Sequence, residues 1–281
     1  MNTNIKIAFF GTPEFSSFVL EELLSGGYTP TLIVTTPDKP AGRGLALTES
    51  PVKRFAIAHN ISIVQPEKLD TDFILKIKEA EIELLVVAAY GKILPLSVLS
   101  LGKYPPLNVH PSLLPKYRGT SPVETQILED EKNIGVSVIQ MDSEMDHGPI
   151  VVQKQIEIPN WPISRDTLNN TLWRTGGQLL VEILPRWRDG TIEPTVQDHT
   201  QATFTKKMTK ENGLINLSLP DRQNYLKFLA YEGWPGTFFF DTDGKRIKIT
   251  QVHFADKKFI IDKVIPEGKK EMDYKNLNPK D

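Results

Sequence analysis

Residues 5–27 read IKIAFFGTPEFSSFVLEELLSGG. The run 5–10 is apolar apart from Lys6 and stops at Gly11, the pattern of a strand buried on both faces rather than one. Thr12-Pro13-Glu14 then offers an N-cap hydroxyl, a proline for the first helical position and an acid for the first turn. Phe15, Phe18, Val19 and Leu23 recur at helical spacing, and Gly26-Gly27 ends the pattern. A buried strand leading at once into an amphipathic helix is the opening unit of a parallel α/β sheet.

The same alternation continues outward from this unit. A strand is expected at 32–34, a long polar loop over 36–50, and a helix started by Ser50-Pro51. A strand at 62–64, a helix at 73–80 and strands at 84–89 and 107–109 follow. Continuous apolar strands between helices predict a mostly parallel, Rossmann-like sheet covered on both faces. Ser121-Pro122 opens another helix, 135–141 and 150–158 form a strand pair, and a helical stretch from about 164 to 187 is interrupted at Gly176-Gly177. Residues 1–190 are thus expected to form one domain. Residues 191–207 are polar, lack any period and are expected to be a linker. Residues 208–281 hold a helix (220–231) and short strands (237–240, 246–250, 258–263), the make-up of a smaller β domain.

Composition narrows the classes. The chain has 281 residues, 40% hydrophobic and 24% charged, enough apolar material for a packed core. It contains no cysteine, which excludes disulfides, thiolate zinc sites and cysteine nucleophiles. The N-terminus lacks the charged start and long apolar run of a signal peptide, and no stretch is long enough to span a bilayer, so a cytoplasmic protein without membrane contact is expected. Net charge is −2, so any nucleic-acid contact must rest on local basic clusters.

Several segments carry chemistry-bearing residues. Gly11 follows the first strand, but G-x-G-x-x-G is absent, which argues against a dinucleotide site. In the strand Leu107-Asn108-Val109-His110, Asn108 and His110 face the same way, and Pro111 stops the strand. An amide donor and an imidazole at a strand's C-terminal end suit a ligand crevice, and equally suit a structural tie to the next loop. The acidic loop 141–148, MDSEMDHG, offers a carboxylate to orient His110. It lacks EF-hand or H-E-x-x-H spacing, so no metal site is expected. Lys39 and Arg43, with Lys53 on the next helix and Lys206 and Lys207 further on, are candidate phosphate contacts or a solvated face.

Taken together, FFGTPEF (9–15), TTPDKPAGRG (35–44), SPVK (50–53), AAYGKILP (88–95), LNVHPSLLPKYRG (107–119), MDSEMDHGPI (141–150), WPGTFFF (234–240) and PEGKKEM (266–272) resemble the methionyl-tRNA formyltransferase family of folate-dependent formyltransferases. The resemblance runs from residue 5 almost to the C-terminus. It implies a Rossmann-like catalytic domain followed by a smaller OB-like β-barrel, here shortened between Thr250 and Phe259. The donor it implies is 10-formyltetrahydrofolate and the acceptor partner initiator methionyl-tRNA, with no metal and a monomeric enzyme. Asn108, His110 and Asp146 become the catalytic trio, Asn108 and protonated His110 stabilising the oxyanion and Asp146 supporting His110 and the proton relay. Folate is implied along Tyr90, Gly91, Ile93 and Leu94, along Ser112, Leu113, Leu114 and Pro115, and at Met141 and Asp142, read largely by backbone groups. Lys39, Arg43, Lys53, Lys206 and Lys207 become tRNA contacts. One departure stands at Thr120-Ser121, where the family carries two alanines. The alternatives are a sugar-nucleotide N-formyltransferase with the same trio, a hydrolase releasing formate from the same folate, and a non-catalytic RNA-binding protein on the same scaffold.

Overall fold

The computed structural model describes residues 5–41 and 46–277. In chain order the elements are β1 (Ile7–Gly11), α1 (Glu14–Ser25), β2 (Leu32–Val34), β3 (Lys39–Ala41), β4 (Ala46–Thr48), α2 (Pro51–Ala58), β5 (Ser62–Val64), α3 (Thr71–Glu79), β6 (Leu84–Ala88), α4 (Leu96–Leu99), β7 (Leu107–His110) and β8 (Arg118–Gly119). Next come α5 (Pro122–Leu128), β9 (Ile134–Gln140), β10 (Ile150–Ile156), α6 (Arg165–Arg188), β11 (Phe204–Thr205), α7 (Asp221–Ala230), β12 (Thr237–Phe240), β13 (Arg246–Ala255), β14 (Lys258–Pro266) and β15 (Met272–Asp273).

The described residues gather into two compact units. One takes in those of Met1–Arg118, Asn133–Ile156 and Asn169–Phe204; the other takes in those of Gly119–Lys132, Glu157–Leu168 and Thr205–Asp281. Two stretches within residues 1–190 therefore belong with the C-terminal unit, so the units are not continuous along the chain.

The first unit is built on a seven-stranded sheet in the order β10-β9-β7-β6-β1-β2-β5. β1, β2, β5, β6 and β7 run parallel, β9 is antiparallel to β7, and β10 is antiparallel to β9. The chain winds outward from β1 through β2 to β5, then returns to the other side of β1 with β6. Strand order thus reverses between β1 and β6, and a ligand crevice opens at the strand C-termini beside such a reversal. The β1 pattern explains the burial. Ala8 and Phe10 join one core with Val34, Val87, Phe73 and Ile77, while Ile7 and Phe9 are equally inaccessible on the opposite face.

Three expectations need correction in this unit. The 36–50 segment is not a plain loop, because β3 and β4 pair as a hairpin with Lys39 opposite Thr48 and Pro40 opposite Leu47. Thr12 does not cap α1; Pro13 takes the N-cap position, and the Thr12 hydroxyl instead donates to the Tyr90 carbonyl at 2.9 Å, tying β1 to the chain after β6. Gly176-Gly177 does not interrupt α6. A Cβ on Gly176 would stand 2.4 Å from Val109 Cγ1, and one on Gly177 would stand 2.8 Å from Glu22 Cβ. The pair has no side chains because the helix lies hard against β7 and α1.

The second unit carries an antiparallel four-stranded sheet, β12-β13-β14-β15, the OB-like part of the fold. Its core is Ile215, Phe239, Ile247, Ile249, Ile261 and Val264. β13 and β14 are longer than the sequence suggests and meet at Asp256-Lys257, where both residues have positive φ (49° and 63°) as a two-residue type I′ turn requires. That tight turn accounts for the short stretch between Thr250 and Phe259. Asp130 ties α5 to α7 here, accepting from Arg222 Nη2 at 2.9 Å and Trp161 Nε1 at 2.7 Å. In the described chain no helix is long and apolar enough to cross a membrane.

Candidate active site

β7 positions the centre of the site. Its residues Asn108 and His110 point to one face, with 8% and 4% of their surface exposed, while Val109 packs on the other face beneath Gly176. β7 lies between β6 and β9, with Asn108 opposite Val87 and Ile139, and His110 opposite Ser137. A central strand with both edges paired leaves its side chains little freedom to shift.

Pro111 ends the strand, and the following loop folds back on it. Ser112 Oγ donates to the Lys116 carbonyl at 2.7 Å, and the Leu114 amide donates to Ser137 Oγ at 3.1 Å. Gln153 Nε2 donates to the Leu114 carbonyl at 2.7 Å, and the Tyr117 amide donates to Thr203 Oγ1 at 2.8 Å. The turn brings the Tyr117 carbonyl to 2.9 Å from His110 Nε2. A carbonyl only accepts, so Nε2 carries a proton and Nδ1 is the nitrogen left to exchange one.

The β9–β10 loop brings the third group. Asp146 has φ +53°, a left-handed conformation that aspartate tolerates better than most residues. Its Oδ1 lies 3.3 Å from Asn108 Nδ2 and 3.5 Å from His110 Nδ1. The carboxylate thus receives the Asn108 amide and faces the exchangeable His110 nitrogen across a distance that one small shift converts into a hydrogen bond. Asp142 is engaged elsewhere, accepting from the Glu144 amide at 2.9 Å and lying 2.6 Å from His147 Nδ1.

The residues considered for folate fall into two groups. The Tyr90 side chain is 2% exposed and packs edge-on against Phe10, and Leu94 lies in the same core. Burial pushes the Tyr90 hydroxyl up to about 12, and it has no hydrogen-bond partner among the described residues. Ser112 and Leu114 are buried as well. The side chains of these four residues are turned into the protein. Gly91, at φ +83°, has open space where a Cβ would stand, and Ile93 beside it is 79% exposed. Leu113, Pro115, Met141 and Asp142 are partly exposed. The segment after β6 thus offers an open, apolar lip next to the strand reversal.

The basic residues are not equivalent. Lys39 is exposed on β3. Arg43 lies outside the described residues. Lys53 sits 2.6 Å from Asp38 and 3.2 Å from Glu49, and its pKa is raised chiefly by the hydrogen bond to Asp38. Two carboxylates already occupy that ammonium. Lys206 and Lys207 are exposed and belong to the second unit.

Gln197 escaped the sequence reading, and Arg118 stood there only as part of the 107–119 motif, without a role. Gln197 and Arg118 are each 3% exposed and hydrogen-bond to one another beneath Asp146. Gln197 lies in the aperiodic polar stretch expected to be a linker, and no pattern there marks one glutamine as buried.

The chain is similar to known proteins over most of its length. The formyl transferase family profile matches residues 5–184. A methionyl-tRNA formyltransferase of Chloroflexus aurantiacus is 44% identical over 84% of this chain and 76% of its own length. One from Dictyoglomus turgidum is 40% identical over 91% of this chain and 81% of its own. Among solved structures, the methionyl-tRNA formyltransferase from Clostridium thermocellum superposes with a TM-score of 0.62 at 16% identity, covering 93% of this chain and 98% of that one. An N-formyltransferase from Helicobacter canadensis in complex with folinic acid and dTDP-3-aminofucose gives 0.63 at 17% identity, covering 93% and 95%. At these identities the structures share the fold, and the sequence relatives carry the finer likeness.

Proposed function

Since the chain belongs to the methionyl-tRNA formyltransferase family of formyl transferases, we propose that it transfers the formyl group of 10-formyltetrahydrofolate to the α-amino group of initiator methionyl-tRNA, in the cytoplasm. The observation that carries this reading is the convergence of Asn108, His110 and Asp146 at the C-terminal end of β7, beside the strand reversal.

The chemistry asks for three things: donors for a developing oxyanion, a group that accepts the amine proton, and exclusion of water. The folate supplies an activated formyl carbon, whose bond to the donor nitrogen breaks as one to the acceptor nitrogen forms, while one proton passes from acceptor to donor. Asn108 Nδ2 and the Nδ1 proton of His110 are the oxyanion donors. His110 keeps its orientation because Nε2 is committed to the Tyr117 carbonyl. Asp146 stands between them, balances positive charge on the imidazole, and takes or relays the amine proton. Burial of Asn108 and His110 keeps bulk water from these donors, which strengthens them for the transition state.

The residues present fit a folate. Its ring system would lie against the segment after β6, where Gly91 leaves room for backbone approach and Ile93 offers an apolar surface. Residues 112–115 and 141–142 would complete the site with backbone groups. For tRNA, Lys39, Arg43, Lys206 and Lys207 would meet phosphates. Lys53, held by Asp38 and Glu49, would steady the base of the β3–β4 hairpin. The relatives at 40–44% identity support a tRNA acceptor over an amino sugar.

The test is transfer of labelled formyl from 10-formyltetrahydrofolate to initiator methionyl-tRNA by the wild type and by Asp146→Asn. The substitution keeps the shape and removes the charge, so turnover should fall by roughly 10²-fold or more, the usual scale for a proton-transfer group. Full activity in the variant would remove Asp146 from the mechanism.

A further inference from the structure

We propose that Gln197 is a positioning residue for formyl transfer, fixing the Asp146 carboxylate by clamping the backbone at Asp146 and two residues beyond it. The inference rests on the catalytic reading of Asn108, His110 and Asp146. Residues 143–145 next to Asp146 are exposed, and the Asp146 carboxylate accepts from Asn108 Nδ2 at 3.3 Å. A further hold acts on its backbone. Gln197 Nε2 donates to the Asp146 carbonyl at 2.9 Å and to the Gly148 carbonyl at 2.6 Å, using both of its hydrogens. Its Oε1 accepts from Arg118 Nε at 3.2 Å and Nη2 at 2.6 Å.

These partners leave one orientation for the amide. Arg118 only donates, so the oxygen must face it; the two carbonyls only accept, so the nitrogen must face them. The segment bearing Gln197 is itself anchored, with Ile150 and Thr195 exchanging two backbone hydrogen bonds of 2.8 Å at the far end of the same loop. Arg118 adds a contact of 2.9 Å from Nη2 to His199 Nδ1.

The clamp also reaches the imidazole. Arg118 directly follows Tyr117, whose carbonyl fixes His110 Nε2. A continuous path therefore runs from the Asp146 backbone through Gln197 and Arg118 to His110. The carboxylate and the imidazole it faces are set against one buried frame.

Gln197→Glu separates positioning from bulk structure. Glutamate keeps the shape and the acceptor toward Arg118, gaining an ion pair there, but sets a carboxylate oxygen against two carbonyl oxygens. The expected result is a fall in kcat of roughly tenfold to a hundredfold, the scale of a catalytic group displaced by about 1 Å, with folate affinity and KM for tRNA little changed and Tm lowered less than in the methionine variant, because the bond to Arg118 is kept. Gln197→Met, a neutral isostere that makes neither set of bonds, should lose kcat similarly with a lower Tm. His110→Ala and Asp146→Asn are run beside them. If those two lose activity while Gln197→Glu and Gln197→Met keep wild-type kcat, the clamp is refuted and the trio stands. If kcat falls only as far as Tm falls, Gln197 is merely structural and the proposal is overturned. If His110→Ala and Asp146→Asn are themselves fully active, the catalytic reading fails first.

Discussion

Gly148 closes the β9–β10 loop two residues beyond Asp146, and a single methyl there should move the carboxylate. A Cβ at this position would stand 1.9 Å from the Gln140 carbonyl oxygen, a backbone atom that cannot rotate aside. Real Cβ atoms essentially never come within 3.0 Å of a neighbour. Gly148→Ala therefore forces the two chain segments apart by the difference, about 1.1 Å, since a packed interior has no slack to absorb it. The Gly148 carbonyl shares Gln197 Nε2 with the Asp146 carbonyl, so the shift is passed to the catalytic loop. Overpacking of this kind costs about 1–3 kcal/mol, which lowers Tm by roughly 2–10 °C in a chain of this size. A catalytic group misplaced by about 1 Å costs roughly 10²-fold in rate. Single-turnover formyl transfer at a temperature where the variant is fully folded reads the second effect free of the first. Wild-type turnover in a folded Gly148→Ala protein would refute the link between loop closure and Asp146 placement.

Other substitutions test separate parts of the structure. His110→Ala should reduce turnover by orders of magnitude while folate binding, measured by fluorescence titration, is largely kept; unchanged turnover removes His110 from the chemistry. Arg43→Ala should weaken the use of tRNA, seen as a raised KM, and leave folate binding alone, whereas loss of folate binding would contradict a tRNA-facing role. Gly176→Ala places a Cβ 2.4 Å from Val109 Cγ1 on the strand that carries the trio, and should cost about 1–3 kcal/mol in denaturant unfolding; a neutral result would show that α6 shifts freely. At Asp130 burial opposes ionisation, but Arg222, Trp161 and Lys132 outweigh it and hold the carboxyl below its ordinary range. Its contribution is therefore complete above the unfolded-state value of about 4 and is lost as pH falls through the depressed native value. The Tm gap between wild type and Asp130→Asn should narrow on acidification, and a gap independent of pH would contradict the pairing.

Much of the first unit was legible because its signals are local. The run 5–10 announces burial on both faces, Ser50 caps α2 by accepting from the Lys53 amide at 3.0 Å as its type suggests, and the two-residue period sets Asn108 and His110 on one face. What was not legible depends on distant partners. Thr12 has the chemistry of a cap, yet its hydroxyl meets a carbonyl 78 residues away. Gly176-Gly177 looks like a break because sequence cannot show that Val109 and Glu22 crowd the helix. Gln197 looks like linker because its value lies wholly in the groups around it. The β3–β4 hairpin was hidden by its proline and glycines, which read as loop punctuation as easily as strand and turn.

The most direct measurement is formyl transfer from 10-formyltetrahydrofolate offered initiator methionyl-tRNA, elongator methionyl-tRNA and an amino-sugar nucleotide side by side. Strong preference for the initiator, lost in His110→Ala, is the expected outcome. Transfer to the sugar nucleotide alone would keep the fold and the trio but contradict the acceptor.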